Sequence, residues 1–392
     1  MQTTDARIHP FRLEIPNADL DDLHARLDQA RWPQTLPGIG WSRGVPLDYL
    51  QRLAAYWRST FDWRAQEARL NNLPQFTTDI DGQTTHFIHV RSPESDAMPL
   101  VLTHGYPSSV VEFLELIDPL TNPRAHGGNP ADAFHVIIPS LPGFGLSMPL
   151  SDTGWEARRT AVAWAELMRR LGYARYGAHG GDIGAGVSGL LPAVDPGSVT
   201  GVHVASDPGG AMAFALMTGG LGSLEQFSDA ERARIEELRK QAEDGRAYLQ
   251  LQSTRPQTLA YGLTDSPVFQ LAWIVEKYKE WTHPSAELPE DAVDVDQLLA
   301  TISLYWFTRS GATAAQFIYA AAHAAGDWGG PSPVPTGFAV FGTESFARRL
   351  LDPNGMIQHF SEFEAGRHFP SLEEPRLLID DIRTFFRSLR EQ

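Results

Sequence analysis

Three titratable residues stand out by type and setting: Asp182, Glu344 and His368. Asp182 lies in Gly177-Ala178-His179-Gly180-Gly181-Asp182-Ile183-Gly184-Ala185, where a short run starting at Ala174-Arg175-Tyr176 reads as a strand. Beyond it Ile183, Val187, Leu190 and Leu191 recur at helical spacing. Glycines crowded into a strand-to-helix turn suit a sharp bend with a strained central residue. That is the geometry of a nucleophile elbow, which holds one side chain up at the end of a parallel sheet. The raised residue is an aspartate, and no G-x-S-x-G occurs in the chain. A carboxylate can attack carbon and form an ester, so this elbow implies alkyl transfer rather than serine-type acyl transfer. The plainer reading of the same stretch is a Gly-rich turn with a helix-capping Asp. His368, in Ala365-Gly366-Arg367-His368-Phe369, can take a proton from water if a carboxylate fixes its tautomer, and Glu344 is the expected carboxylate. Alone, His368 also reads as a surface-loop histidine, and Glu344 as a charge meeting a helix dipole.

An oxyanion formed during such chemistry needs backbone N–H donors, one after the nucleophile and one from a neighbouring loop. Ile183 and Tyr106, in His104-Gly105-Tyr106-Pro107, are nominated. His104 reads as a histidine that shapes its loop. His126-Gly127-Gly128 resembles part of an oxyanion motif but sits in a polar loop before a strand, and is read as a decoy.

The elements that must position these residues follow from periodicity. Phe11 to about Asn72 reads as a helical lead-in punctuated by Trp32, Trp41, Trp57 and Trp63, with Asn17 as a helix cap. Phe76–Asp81 and Thr84–Val90 form a hairpin around Asp81-Gly82-Gln83. Leu100–Thr103 and Phe134–Pro139 are short apolar runs of the kind buried in parallel sheets, and Val202–Ala205, Gly337–Phe341 and Ile357–Phe363 also read as strands. After Asp207-Pro208-Gly209-Gly210 the strand signals stop, and a helical insertion of roughly 120 residues is expected. It opens with a capping box, Ser228 and Glu231, and closes with the linker Gly329-Gly330-Pro331-Ser332-Pro333. A second capping box, Ser371 and Glu374, should start the last helix, whose buried face is Leu378, Ile382, Phe385 and Leu389.

Composition narrows the function classes. The formal net charge of −16 argues against nucleic acid and anionic membrane surfaces as partners. With no cysteine, disulfides and thiolate metal sites are excluded. The polar opening, Met1 to Arg12, reads as neither a signal peptide nor a membrane span, so a cytoplasmic protein is expected.

The order Asp182, Glu344, His368, with a helical insertion after the nucleophile, is that of the α/β-hydrolase fold. More specifically, the chain resembles the microsomal-type epoxide hydrolases and their soluble bacterial relatives. The resemblance rests on Phe11-Arg12-Leu13-Glu14-Ile15-Pro16, Arg31-Trp32-Pro33, Phe61-Asp62-Trp63-Arg64, Pro142-Gly143-Phe144-Gly145, Gly180-Gly181-Asp182, Gln252-Ser253-Thr254-Arg255-Pro256, Asp265-Ser266-Pro267, Glu276-Lys277 and Tyr305-Trp306. It implies an N-terminal extension and first strands (1–95), a core in two parts (96–206 and 334–392) and a helical cap (207–333). It also implies Asp182 as nucleophile, Glu344 as acid, His368 as base, and two cap tyrosines that donate to the epoxide oxygen. Tyr248 matches the first and Tyr319 the second, although many relatives carry the second one place earlier, at what is Ile318 here. The usual H-G-W-P-G is His104-Gly105-Tyr106-Pro107-Ser108, and the residue after the nucleophile is Ile183 rather than tryptophan. The implied substrates are water and a small-molecule epoxide, bulky and apolar or aromatic. No cofactor or metal is expected, and a homo-oligomer is left open. The alternatives are a haloalkane or haloacid dehalogenase and a non-catalytic binding protein of the same fold.

Overall fold

The computed structural model describes residues 6–212, 224–324 and 332–390, so part of the expected linker, 329–331, lies outside the described residues. A nine-stranded sheet runs through the chain. Its strands are β1 (His9–Phe11), β2 (Gln75–Ile80), β3 (Gln83–Val90), β4 (Met98–Thr103), β5 (Phe134–Pro139), β6 (Tyr176–Gly180), β7 (Val199–Ser206), β8 (Thr336–Phe341) and β9 (His359–Phe363). The order across the sheet is β1-β2-β3-β5-β4-β6-β7-β8-β9. β1, β2 and β3 pair antiparallel, as does β3 with β5, while every pairing from β5 to β9 is parallel. This is the α/β-hydrolase architecture that the order of motifs implies.

The apolar runs became central strands because they are covered on both faces: Leu100, Val101, Leu102, Val136, Ile137 and Ile138 have no exposed surface. The hairpin is tighter than its sequence suggests. Ile80 pairs with Gln83, so the loop is Asp81-Gly82 alone, with both residues at positive φ (53° and 74°). The lead-in is helical over Asn17–Asp28, Leu47–Ser59 and Trp63–Asn71, but it begins with the strand β1, too short to carry a periodic signal. Asn17 is the first helical residue rather than the cap, and its Oδ1 accepts from Arg64.

The lead-in does more than cover the core. Trp57 Nε1–H donates to Ser303 Oγ at 2.8 Å, Tyr49 and Tyr56 donate to Glu290 and Asp296, and Arg26 reaches Asp265. All four partners lie in the helical stretch between β7 and β8, so the tryptophan-rich extension ties that stretch down. The stretch includes Asp229–Asp244, Ala247–Thr254, Pro256–Asp265, Pro267–Trp281, Val295–Thr308 and Ser310–His323. Its first helix starts with the Ser228–Glu231 capping box. The expected box at Ser371 and Glu374 is not formed. A short helix, Pro370–Glu373, precedes the long one, Pro375–Arg390, and the Ser371 hydroxyl instead donates to buried Glu112 Oε1 at 2.7 Å. No helix among the described residues is long and apolar enough to cross a membrane.

Candidate active site

Parallel strands put their carboxyl ends on one edge, and five loops converge there. β4 runs into the His104 loop, β6 into Asp182, β7 into Asp207, β8 into the Glu344 loop and β9 into the His368 loop. Asp182 has φ 52° and ψ −126°, a conformation costing an L-residue roughly 1–3 kcal/mol unless its surroundings enforce it. Two glycines let them do so. A Cβ on Gly184 would lie 1.9 Å from the Thr103 carbonyl oxygen, and one on Gly105 would lie 2.4 Å from the Asp182 Cβ. The elbow is thus pressed against the end of β4, and its side chain against the Gly105 backbone.

That closeness sets the first contact of the site: the Tyr106 N–H donates to Asp182 Oδ1 at 2.9 Å. The Ile183 N–H, at the start of the helix Ile183–Val194, does not bond the carboxylate in this state. Asp182 Oδ2 faces His368 Nε2 at 3.7 Å. The His368 ring is held between Trp281 and Phe369, with centroids 4.7 and 4.8 Å away, and its backbone N–H donates to the Trp281 carbonyl. His104 shapes its own loop: Nδ1–H donates to the Gly105 carbonyl and Nε2 accepts from the Leu141 N–H. Burial holds its pKa down at about 4, so it stays neutral. His126 bonds Asp118 at 2.6 Å at the surface and has no part in the site.

The carboxylate on His368 is not Glu344. The His368 Nδ1–H donates to Asp207 Oδ2 at 2.8 Å. Asp207 Oδ1 in turn accepts from the Gly209 and Gly210 N–H groups at 2.6 and 3.1 Å. Glu344 Oε1 takes the Arg234 Nε–H at 2.7 Å and leaves the ring alone. The reason is positional. β7 adjoins the elbow strand, so a residue directly after β7 lies nearer the sheet centre than one three residues past the end of β8. Burial works to raise the Asp207 pKa, but the His368 bond and charge, Arg367 and the Gly210 N–H outweigh it and bring it to about 2. On His368 burial works to lower the pKa, and the bond to Asp207 with the charges of Asp207, Asp182 and Glu112 raises it to about 9.

The expected tyrosines part company. The Tyr248 ring stacks on Tyr106 at 6.1 Å, nearly parallel, and meets Trp281 edge-on at 5.2 Å. Its hydroxyl pKa is pushed far up by burial and by the negative charge of Asp182, so it holds its proton. Tyr319 is 38% exposed and stacks on His323, while Ile318 is buried in its place. One helical step of about 100° turns it out. Tyr305, also near the elbow, spends its hydroxyl on the Ser108 carbonyl at 2.8 Å. The Tyr106 hydroxyl accepts from Trp273 Nε1–H at 2.6 Å, which joins the His104 loop to the helix Pro267–Trp281.

Two groups near the elbow were not singled out from sequence, Asp207 and Glu112. Asp207 read only as the end of the strand rhythm; its place directly after a core strand, two and three residues before paired glycines, was the available signal. Glu112 sits inside an apolar turn, Val110–Phe113, and carried no signal. Elsewhere His203, His359 and Asp381 bring three ligating atoms within 4.8 Å of one another. Asp381 already accepts from both rings at 2.8 Å and from Ser361 Oγ, which makes this a satisfied hydrogen-bond network. A larger cavity of about 720 Å³ opens among Met98, Arg175, Thr200 and Pro335, at the amino ends of the strands and away from the acids and base.

Comparison with known proteins identifies the family and the fold. Residues 8–113 match the epoxide hydrolase N terminus family, and residues 98–228 the alpha/beta hydrolase fold family. A Stigmatella aurantiaca protein provisionally named an epoxide hydrolase is 42% identical over 98% of this chain and 86% of its own. Epoxide hydrolase 1 of Sus scrofa is 33% identical over 99% of this chain and 90% of its own. The juvenile hormone epoxide hydrolase of the silkworm Bombyx mori superposes with a TM-score of 0.85 at 28% identity, covering 100% of this chain and 96% of that one. The Aspergillus niger epoxide hydrolase gives 0.79 at 30% identity, over 98% and 97%.

Proposed function

Because the chain belongs to the microsomal-type epoxide hydrolase family, we propose that it hydrolyses an epoxide to a vicinal diol through an ester on Asp182. The observation that carries this is the orientation of the nucleophile. Oδ1 is held by the Tyr106 N–H, and Oδ2 is turned toward His368. Oδ2 is then the attacking atom, and Oδ1 becomes the carbonyl oxygen of the ester, already against an oxyanion donor. Attack on an oxirane carbon opens the ring, and the leaving alkoxide takes the proton of Tyr248. The rings of Tyr106, Tyr248, Trp273 and Trp281 favour a bulky, apolar or aromatic epoxide. Tyr319 has no such position, so Tyr248 acts without it.

The second step needs His368 as a neutral base, whereas three neighbouring carboxyl groups favour its protonated form. Esterification removes the charge of Asp182 and lowers the ring's proton affinity at the moment a base is required. Asp207 keeps Nδ1 protonated, so the free lone pair is on Nε2. Water loses its proton to Nε2 and attacks the ester carbon. The diol oxygen departs with the proton returned from His368, and the proton left on the Asp182 carboxyl group returns to the Tyr248 phenolate, which restores both the carboxylate and the phenol.

A single turnover in ¹⁸O-water with excess enzyme tests the sequence of events. Label is expected in the peptide containing Asp182 and little in the diol. His368→Gln should accumulate an adduct of the substrate's mass on that peptide, and Asp182→Ala none. Label confined to the diol, with no adduct in His368→Gln, removes the covalent mechanism.

A further inference from the structure

Buried Glu112 is a carboxyl group that the mechanism above does not use. Its turn, Val110–Phe113, follows the His104 loop, and one of its oxygens accepts from Ser371 Oγ at 2.7 Å. Ser371 lies three residues after His368, so this bond ties the far side of the base loop to the oxyanion loop. Between them is a cavity of about 10 Å³ whose lining includes Asp182, His368, Glu112, Ser108 and Ser371. That is about the space one water molecule occupies, and a water there needs two to four polar partners. The walls supply them. Ser108 is 1% exposed and borders the cavity, and its Oγ lies close to Glu112 and Tyr278 without meeting either in full hydrogen-bond geometry. A buried hydroxyl whose neighbours are poorly aligned keeps hydrogen-bonding capacity that a water in the cavity can use.

We propose that this cavity is the seat of the water that hydrolyses the ester, with Glu112 and Ser108 positioning it between His368 and the Asp182 carbonyl carbon. The inference rests on the covalent reading above and adds to it the residues that orient the second reactant. Glu112 transfers no proton overall: water gives its proton to His368, and the carboxyl group and the Ser108 hydroxyl fix the direction of the oxygen lone pair. Burial raises the Glu112 pKa, and its carboxyl oxygens border the cavity as hydrogen-bonding partners for a water. On this view alkylation is indifferent to Glu112, because water takes no part in it.

The test separates the two steps with styrene oxide as probe, in rapid-quench experiments read by intact-protein mass spectrometry. Glu112→Gln should leave the alkylation rate and kcat/KM within about threefold while lowering the hydrolysis rate and kcat about 10–100-fold, the range expected when a reactant is poorly placed. KM should fall with kcat, and the ester should accumulate in the steady state. Ser108→Ala removes a cavity contact while keeping the buried acid, and should lower kcat alone by about 3–10-fold. It carries the test if Glu112→Gln does not fold. A hydrolysis rate unchanged in both variants overturns the proposal, as does an equal fall in kcat and kcat/KM without ester, which would mean a structural role. His368→Gln distinguishes the levels. If it traps ester while Glu112→Gln and Ser108→Ala turn over normally, only the water site fails. If it traps none, the covalent reading fails first.

Discussion

Replacing Asp207 by asparagine should disable the second half of the reaction and spare the first. Asp207 uses both oxygens, Oδ1 on the Gly209 and Gly210 N–H groups and Oδ2 on His368 Nδ1–H. An asparagine has one acceptor oxygen, and two backbone donors hold it. Its NH₂ group must then face Nδ1, which becomes an acceptor and sends the ring proton to Nε2. The atom that should take a proton from water is then already protonated. Loss of the base in this way should cost about 10²–10⁴-fold in kcat, with kcat/KM within a few-fold because Asp182 attacks without a base. The ester should be visible by intact mass. Glu344→Gln is the control. Its pair with Arg234 is partly exposed, with side chains 20% and 39% accessible, so about 0–1 kcal/mol of stability is at stake and kcat should hold within about threefold. Rapid-quench kinetics on both variants decide the matter. If Glu344→Gln loses two orders of magnitude in kcat and Asp207→Asn keeps its activity, the acid has been misassigned and the reasoning from hydrogen bonds is wrong.

Further outcomes are expected. Tyr248→Phe should slow alkylation about 10²–10⁴-fold with an unchanged melting temperature, whereas Tyr319→Phe should alkylate at the normal rate; equal losses would mean that Tyr319 turns inward when substrate binds. His368, with a folded-state pKa of about 9 against an ordinary 6.5, should stabilise the fold by ~3 kcal/mol below pH 6.5 and lose that contribution as pH rises to about 9. Urea unfolding of the wild type and His368→Gln between pH 6 and 9.5 should converge over that window, and a constant difference would contradict it. Gly105→Ala drives a methyl group into the Asp182 side chain, and a displacement of about 1 Å should lower the alkylation rate ~10²-fold; an unaffected rate would mean that the elbow tolerates movement.

Much of this molecule was legible in the chain because local rules govern it. Glycine around Asp182 marks a turn that only small neighbours permit, and the steric contacts of Gly184 and Gly105 are the physical form of that signal. Apolar runs marked β4 and β5 because burial on both faces favours apolar side chains there. Loops following strands placed Asp182, His368 and the Tyr106 N–H at one edge of the sheet. What sequence could not decide was which side chains meet across that edge. Asp207 and Glu344 both follow strands, and only the lateral order, with β7 beside the elbow strand, puts the first on His368 and the second on Arg234. Tyr319 and Ile318 differ by one helical step, which motif spacing leaves ambiguous and packing settles. Ser371 fitted a capping pattern, yet its hydroxyl was claimed by Glu112, more than 250 residues away. Periodicity and turn chemistry act between near neighbours. The partner of a buried charge is set by contacts distant in sequence, so it became visible only in the tertiary structure.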